Sequence, residues 1–202
     1  MVHFCTIKNK SGNFKFMSRD QKRDAVLDAA AAVYARDRSA SMQQIAASAG
    51  ISRTTLVRHF PTREDLVAAL IDRVLNDATA VLDQAQLEDG GLEEGLACLT
   101  EHFRTLGQVW GVGYGLGYGW SHIETLLSDL AARVETINAR LVAFFERGQQ
   151  AGLFRQDLPA AWMTGAFQGL CETTSDLIDD ESMGKRQGPE FLISIFLKGA
   201  SV

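Results

Sequence analysis

Residues 41 to 60 read SMQQIAASAGISRTTLVRHF, and they predict two short helices joined by a tight turn. Ser41 and Gln44 stand three positions apart, the spacing of a capping box at a helix start. Gly50 ends this first helix, because glycine permits the sharp backbone turn that must follow. Ser52 is a cap for the second helix. The segment therefore has the organisation of a helix-turn-helix.

The second of these helices is predicted to present basic and short polar side chains to its surroundings. Leu56 and Phe60 lie on one side of it and are expected to face inward. The residues left on the outer side are Arg53, Thr54, Val57 and Arg58. A guanidinium pairs with guanine, and a threonine meets the thymine methyl group in the major groove. The pattern favours double-stranded DNA as the partner of this helix.

The sequence on either side is also helical in pattern. Apolar residues recur at helical spacing from residue 20 to about 35, and Thr62 with Asp65 caps a further helix that runs towards Gln86. Helical patterns continue to the end of the chain, with a final helix predicted from Pro189 to Gly199. No segment alternates as a half-buried strand does, apart from one interrupted by glycines. The predicted fold class is all-α.

The run I-A-x-x-A-G-I-S-x-x-T-L-x-x-H-F-P-x-R-E-x-L, from Ile45 to Leu66, resembles the tetracycline-repressor (TetR) family of bacterial regulators. The resemblance is dense over residues 20 to 75 and rests on length and helical pattern alone elsewhere. It implies a homodimeric transcription factor with an N-terminal DNA-binding domain. A divergent C-terminal domain would dimerise and bind a small effector that releases DNA. We expect a repressor on a palindromic operator.

The expected DNA contacts combine the pattern with this resemblance. The resemblance implies phosphate or backbone roles for Ser41, His59 and Arg63, and a DNA contact for Thr55. The N–H groups at the Ser52 cap are placed to meet a phosphate. The full predicted set is Ser41, Ser52, Arg53, Thr54, Thr55, Arg58, His59 and Arg63.

Two departures from the family pattern stand out. Val57 occupies a position where the family usually has tyrosine, so one aromatic contact to the DNA backbone is not expected. The link from 36 to 40 lacks the usual glycine and is about two residues short.

Charge is distributed unevenly along the 202 residues. The net charge is −5, yet residues 1 to 75 carry twelve Lys/Arg against seven Asp/Glu, and the remainder carries eight against eighteen. A basic first part and an acidic second part fit one module that touches phosphate and one that does not. We predict a basic flexible arm at 1–19, with Met17 as an alternative start, a DNA-binding domain at 20–66 and an effector and dimerisation domain at 67–202.

The segment from Trp110 to Trp120 has glycine at every second position. Five glycines would cost about 1 kcal/mol each in a helix relative to alanine, so a stable helix is not expected here. One alternative is a connecting loop whose aromatic rings fill the core. The other is a wall of an apolar effector pocket. The residues predicted to line that pocket are Phe103, Trp110, Tyr114, Tyr118, Trp120 and Phe144.

Two apolar helices near the C-terminus are predicted to form the dimer interface. They could be pure core, but the resemblance implies a four-helix interface with a second subunit, which suits a palindromic operator. The predicted interface residues are Trp162, Met163, Ala166, Phe167, Leu170, Phe191 and Ile195.

Other function classes find little support. Cys98 and His102 lie four apart on one helix face, but with no second pair we favour core packing over a metal site. Cys171 has no basic neighbour to activate it, and the acidic residues from 172 to 181 are expected to be a solvated helix end. No nucleophile–base pair or phosphate loop indicates an enzyme, so no catalysis and no cofactor are predicted. A regulator that needs no effector stays an alternative.

No apolar stretch approaches the ~20 residues needed to cross a bilayer, and three cysteines form no disulfide framework. A cytoplasmic protein with no membrane partner is expected.

Overall fold

The computed structural model describes residues 18–34, 36–37, 39–115 and 128–200, and it does so without the side chains of residues 19, 110–115 and 128. These residues form nine helices and no strand, which confirms the all-α prediction. None of the described helices is long and apolar enough to cross a membrane. The helices are α1 (Arg19–Tyr34), α2 (Met42–Ser48), α3 (Arg53–His59), α4 (Arg63–Gln84), α5 (Leu92–Glu101), α6 (Phe103–Gly115), α7 (Ser128–Gln150), α8 (Ala160–Asp179) and α9 (Gln187–Ala200).

The chain divides into two compact units, Met1–Leu70 and Ile71–Val202. The boundary expected from the sequence, at 66/67, falls within the first turn of α4, whereas the structural division falls one turn later. Helix α4 is continuous across the division.

In the first unit, α1 packs on α2, and α2 packs on α3. Their shared core contains Leu27, Ile45, Leu56, Phe60 and Leu66, all almost completely buried. Burial of such side chains contributes about 1.5–3 kcal/mol each relative to exposure. Gly50, between α2 and α3, has a φ of +67°, a backbone conformation that favours glycine.

In the second unit, α8 is the central helix and packs against α6, α7 and α9. A cluster of five buried phenylalanines joins three of these elements and the loop before α8. Ring centroids within the cluster lie 5.1 to 6.4 Å apart in tilted or edge-to-face arrangements, as aromatic rings prefer. Its members are Phe144, Phe145, Phe154, Phe167 and Phe196.

The start of the chain requires one correction to the prediction. Residues 1–17 of the predicted arm lie outside the described part, but Arg19 is the first residue of α1 and Ser18 caps it. The Gln21 backbone N–H donates to Ser18 Oγ, and the Ser18 N–H donates to Gln21 Oε1. This is the same capping box as at Ser41 and Gln44, and it went unrecognised at the end of an irregular basic segment.

The glycine-alternating segment requires another correction. Residues 110–115 continue helix α6, so the first half of this segment is helical rather than a loop, and 116–127 lie outside the described residues. Gly107, one turn earlier, brings α6 very close to α8: a Cβ there would lie 2.9 Å from the backbone C and O atoms of Cys171. Packing against α8 offsets the low helix propensity of glycine, as tertiary context often does.

Two helix boundaries also differ from expectation. Large apolar residues recur at spacings of three and four from Leu92 to Leu106, a helical pattern. The structure divides this stretch into α5 and α6 at His102, whose ring Nδ1 lies 3.0 Å from the Cys98 carbonyl oxygen. The last helix begins at Gln187 instead of Pro189, because proline is tolerated in a first turn whose N–H groups have no helical partner. A Cβ at Gly188 would lie 2.7 Å from Ile178 Cδ1, so a larger residue there would require the Ile178 side chain to move.

Candidate nucleic-acid interface

Helix α3 is held at its first turn by Ser52. The Thr55 N–H donates to Ser52 Oγ at 3.1 Å, and the two hydroxyl oxygens lie 2.9 Å apart. This confirms the predicted cap and occupies the Thr55 hydroxyl locally, so any DNA contact from Thr55 must share that oxygen. Leu56 is fully buried on the opposite side, which fixes the rotation of the helix about its axis.

That rotation leaves the predicted base-reading side chains in solvent. Arg53, Thr54 and Arg58 are exposed, and Val57 is half-buried. Arg58 and His59 lie in the last turn, where positive charge is favoured by the helix dipole. The structure thus brings a guanidinium and a threonine hydroxyl together at the N-terminus of a short, well-capped helix, as groove recognition needs.

The residues predicted to hold phosphates lie at the starts of neighbouring helices. Ser41 is exposed and caps α2, where its backbone N–H donates to Gln44 Oε1 at 2.8 Å. Arg63 is the first residue of α4, and its guanidinium carbon lies 5.3 Å from the centre of the Tyr34 ring. The half-buried His59 ring lies 6.5 Å from Phe60, centroid to centroid. The phosphate contacts of Ser41, His59 and Arg63 therefore stay predictions.

A second cation–aromatic contact in this unit was not predicted from the sequence. The Arg23 guanidinium carbon lies 5.2 Å from the centre of the Phe60 ring. Cations attract aromatic faces by about 0.5–1 kcal/mol at exposed sites. Arg23 therefore joins α1 to the end of α3. In the sequence, Arg23 is one of several basic residues near the start of α1, and nothing local predicts its contact with Phe60.

The C-terminal helices α8 and α9 expose four large apolar side chains. Trp162 and Ile195 are each 60% exposed, Phe191 is 49% exposed and Leu177 is 36% exposed. Leu177 was missed in the sequence, although it lies seven residues after Leu170 and so falls on the same helical face. Large exposed apolar side chains that form a contiguous patch are typical of a protein–protein contact surface.

Two residues of the predicted dimer interface are buried inside the protomer. Met163 and Phe167 are essentially inaccessible to solvent, because Phe167 packs into the phenylalanine cluster, 5.1 Å from Phe196. The amphipathic pattern of α8 has two apolar faces, and the sequence alone did not separate them. Ala166 and Leu170 are half-exposed.

The comparisons with known proteins agree with this geometry. The family model described as "Bacterial regulatory proteins, tetR family" matches residues 26–70. The HTH-type transcriptional regulator NfxB of Pseudomonas aeruginosa is 33% identical over 170 residues, which cover 80% of this chain and 85% of NfxB. The HTH-type transcriptional repressor LfrR of Mycolicibacterium smegmatis is 28% identical over 165 residues, covering 81% of this chain and 82% of LfrR.

The chain belongs to the TetR family. It is a DNA-binding transcriptional regulator. Solved TetR-type structures share the fold along most of the chain. LfrR from Mycobacterium smegmatis in complex with proflavine superposes with a TM-score of 0.68 at 24% identity, covering 90% of this chain and 97% of LfrR. The ketosteroid regulator KstR2 of Mycobacterium tuberculosis gives a TM-score of 0.68 at 19% identity, with 92% and 97% covered.

The predicted effector-lining residues fall in three groups. Phe103 and Phe144 are buried, and Phe144 belongs to the phenylalanine cluster. Trp110 and Tyr114 lie on α6 with side chains that are not described, while Tyr118 and Trp120 lie outside the described residues. A surface cleft of about 400 Å³ between α7 and the segment after α4 contains none of these six residues.

Two cysteines, Cys98 and Cys171, lie in the described part of the chain. Cys98 Sγ lies 3.9 Å from His102 Nδ1, and within the described ranges no three His, Cys, Asp or Glu side chains form a group that could hold a metal ion. Burial raises the pKa of both Cys98 and Cys171. Because the thiolate is the reactive form, both thiols are less reactive than an exposed cysteine.

Proposed function

We propose that this TetR-family regulator is a homodimeric repressor that binds a palindromic operator and is released by a small, largely apolar or aromatic effector. The observation that carries the DNA-binding half is the exposed trio Arg53, Thr54 and Arg58 on a helix whose start is fixed by Ser52. Similarity to the repressor LfrR supports the direction of regulation.

The dimer is supported by the exposed apolar face of α8 and α9. Gly165 and Gly169 lie on the Trp162 side of α8, and an added Cβ at either would meet nothing within 4 Å. Small residues beside a large exposed tryptophan allow the backbone of a second helix to approach closely. A two-fold dimer carries two copies of α3, the number that the two half-sites of a palindrome require.

The dimer is tested by burying a charge at the exposed face. Ile195→Glu should cost about 3–5 kcal/mol at the interface, because an unpaired carboxylate would be desolvated. Sedimentation should then show a folded monomer with weakened operator binding. Phe167→Glu is the contrasting variant: it places the charge in the protomer core and should prevent folding. An Ile195→Glu protein that stays dimeric would move the interface elsewhere.

The operator is tested by selecting genomic fragments on the immobilised protein. Selected fragments should share an inverted repeat, and protection from cleavage should cover both half-sites. A single unrepeated motif would contradict the palindromic arrangement. Running the selection at two salt concentrations separates specific from general phosphate binding, which weakens steeply with salt.

The effector is supported by the likeness to an LfrR structure that contains proflavine. Proflavine is therefore the first probe, titrated into the protein alone by calorimetry and into the protein–operator complex by fluorescence anisotropy. A second helix-turn-helix repressor on its own operator is the control for dye bound to DNA. The proposal of an aromatic effector is supported if proflavine binds the protein saturably and dissociates its operator complex but not the control complex. Operator binding that no aromatic probe weakens would favour a regulator without an effector.

A further inference from the structure

Helix α7 carries three arginines at intervals of seven residues: Arg133, Arg140 and Arg147. Seven residues are close to two helical turns, so the three side chains leave the helix on nearly the same face. We call them the arginine row. In the described structure, each member makes charge-assisted hydrogen bonds to α4 or to the segment that follows it.

The first two members bind side chains of α4 and its end. Arg133 donates through Nη1 to Asp72 Oδ1 at 2.5 Å and through Nη2 to Asn76 Oδ1 at 2.8 Å. Arg140 pairs with Asp83 Oδ1 at 2.8 Å and donates to Glu88 Oε1 at 2.6 Å. Each guanidinium therefore bridges two acceptors, an arrangement that fixes its own orientation better than a single ion pair does.

Arg147 binds the backbone instead. Its guanidinium donates to the carbonyl oxygens of Gly90 at 2.6 Å and Leu87 at 3.0 Å. The same group lies 5.8 Å from the centre of the Phe144 ring. The chain after α4 is thereby joined to the edge of the buried phenylalanine cluster.

The acceptors of the row lie along most of the second-unit part of α4. Asp72, Asn76 and Asp83 occupy one side of that helix, and Leu87 and Gly90 follow its end. Helix α4 itself starts at Arg63 in the first unit and continues without a break to Gln84. Because α4 is one continuous helix, an unbroken series of i to i−4 backbone hydrogen bonds connects its second-unit part to its first turns.

We propose that the arginine row sets the orientation of α4 on α7 and so controls the fraction of the protein that is competent to bind DNA. The inference rests on the proposed function, in that operator binding must depend on α4. Individually, exposed ion pairs contribute little to stability. The row acts on orientation, because a tilt of α4 on α7 would move Asp72, Asn76 and Asp83 away from the guanidinium groups that bind them.

The central test compares Arg133→Gln with Arg104→Gln. Arg104 pairs with Asp179 at 2.6 Å, and the side chains of that pair are 41% and 51% exposed, against 34% and 51% for Arg133 and Asp72. Each variant thus loses one positive charge and one ion pair of similar exposure. Arg133 binds α4, whereas Arg104 binds Asp179 of α8. Amide hydrogen exchange in 71–84 should accelerate for Arg133→Gln and stay at the wild-type rate for Arg104→Gln.

Operator affinity is measured on the same proteins. If loosening α4 reduces the competent fraction to a tenth, the operator dissociation constant rises about tenfold. Arg104→Gln should leave it unchanged. Equal effects of the two variants on exchange and affinity would overturn the proposal, since loss of any surface charge would then suffice.

A charge swap keeps the test independent of folding losses. Asp72→Arg combined with Arg133→Asp restores an opposite pair, and Asn76 can still take part because its amide both donates and accepts. The swapped protein should recover a large part of the operator affinity lost in Arg133→Gln. A folded swapped protein no better than that variant would contradict the proposal.

Hydrogen exchange also separates this inference from the proposed function. If the wild-type chain selects no operator while Arg133→Gln still loosens α4, the repressor proposal fails and the positioning role of the row stands. Unchanged exchange in 71–84 refutes the positioning role whatever the DNA result.

Discussion

The two units of the chain differ in how their helices begin. In the first unit, the starts of α1, α2, α3 and α4 are all capped by a serine or threonine side chain. In the second unit, α5 begins after Gly91 and α8 after Pro159, and neither has a side-chain cap. Local signals thus define the helix starts of the first unit, whereas packing between distant segments defines those of the second unit.

This difference fits the tasks of the two units. A reader of DNA needs short helices with fixed ends, because the contacting groups lie in first turns. A unit with the proposed tasks of binding an effector and a second subunit needs apolar faces whose partners are far away in sequence. Substitutions at caps should therefore have small, local effects, and substitutions at packing points in the second unit should have large ones.

The largest effect is expected at the centre of the phenylalanine cluster. Phe145 is fully buried and contacts Phe144, Phe154, Phe167 and Phe196. Phe145→Ala should lower the free energy of unfolding by about 3–5 kcal/mol, since a cavity remains where the ring was. Urea denaturation measures the loss.

Phe60→Ala is the matched variant in the first unit. It removes a buried phenylalanine that has fewer aromatic neighbours among the described residues, so its cost should be smaller than that of Phe145→Ala. A larger loss for Phe60→Ala would contradict the view that the second unit holds the more demanding core.

The next effect concerns the close approach of α6 and α8. Gly107→Ala places a methyl group 2.9 Å from backbone atoms of Cys171, and backbone cannot swing away as a side chain can. We expect a loss of about 1–3 kcal/mol from overpacking, measured by thermal unfolding. Gly199→Ala is the control, because its Cβ meets nothing within 4 Å. A neutral Gly107→Ala would show that the two helices separate at no cost.

Sequence reasoning succeeded where a signal and its effect lie a few residues apart. The capping boxes at Ser41 and Thr62 and the turn at Gly50 fixed the first unit almost to the residue. It failed where the cause is distant: Gly107 depends on Cys171, and Phe167 faces the core only because Phe196 lies opposite. The sequence also left open which residues bind α4, since nothing local pairs Arg133 with Asp72.

Within the first unit, Arg53 and Arg63 are expected to contribute differently to DNA binding. Arg53→Ala should cost about 1–3 kcal/mol of operator binding and relax the preference at one base position. Arg63→Ala should weaken all sequences alike and reduce the salt slope by about one unit. Arg63→Lys keeps the charge and should restore most of the loss.

Binding measured on an operator series with single-base changes decides between the two roles. If Arg63→Ala changed the base preference and Arg53→Ala did not, the assignments would be reversed. Unfolding is measured in parallel, because Arg63→Ala also removes the contact with the Tyr34 ring.

The smallest expected effect separates capping from phosphate binding at Ser41. Ser41→Ala removes the oxygen that accepts from the Gln44 N–H and should cost about 1 kcal/mol of stability. Ser41→Asp keeps a capping oxygen, so stability should stay near wild type, but its negative charge would face a phosphate and weaken operator binding. Ser39→Ala is the control, because Ser39 pairs with Asp37 outside any helix. Operator affinity equal to wild type in Ser41→Asp would leave Ser41 with the capping role alone.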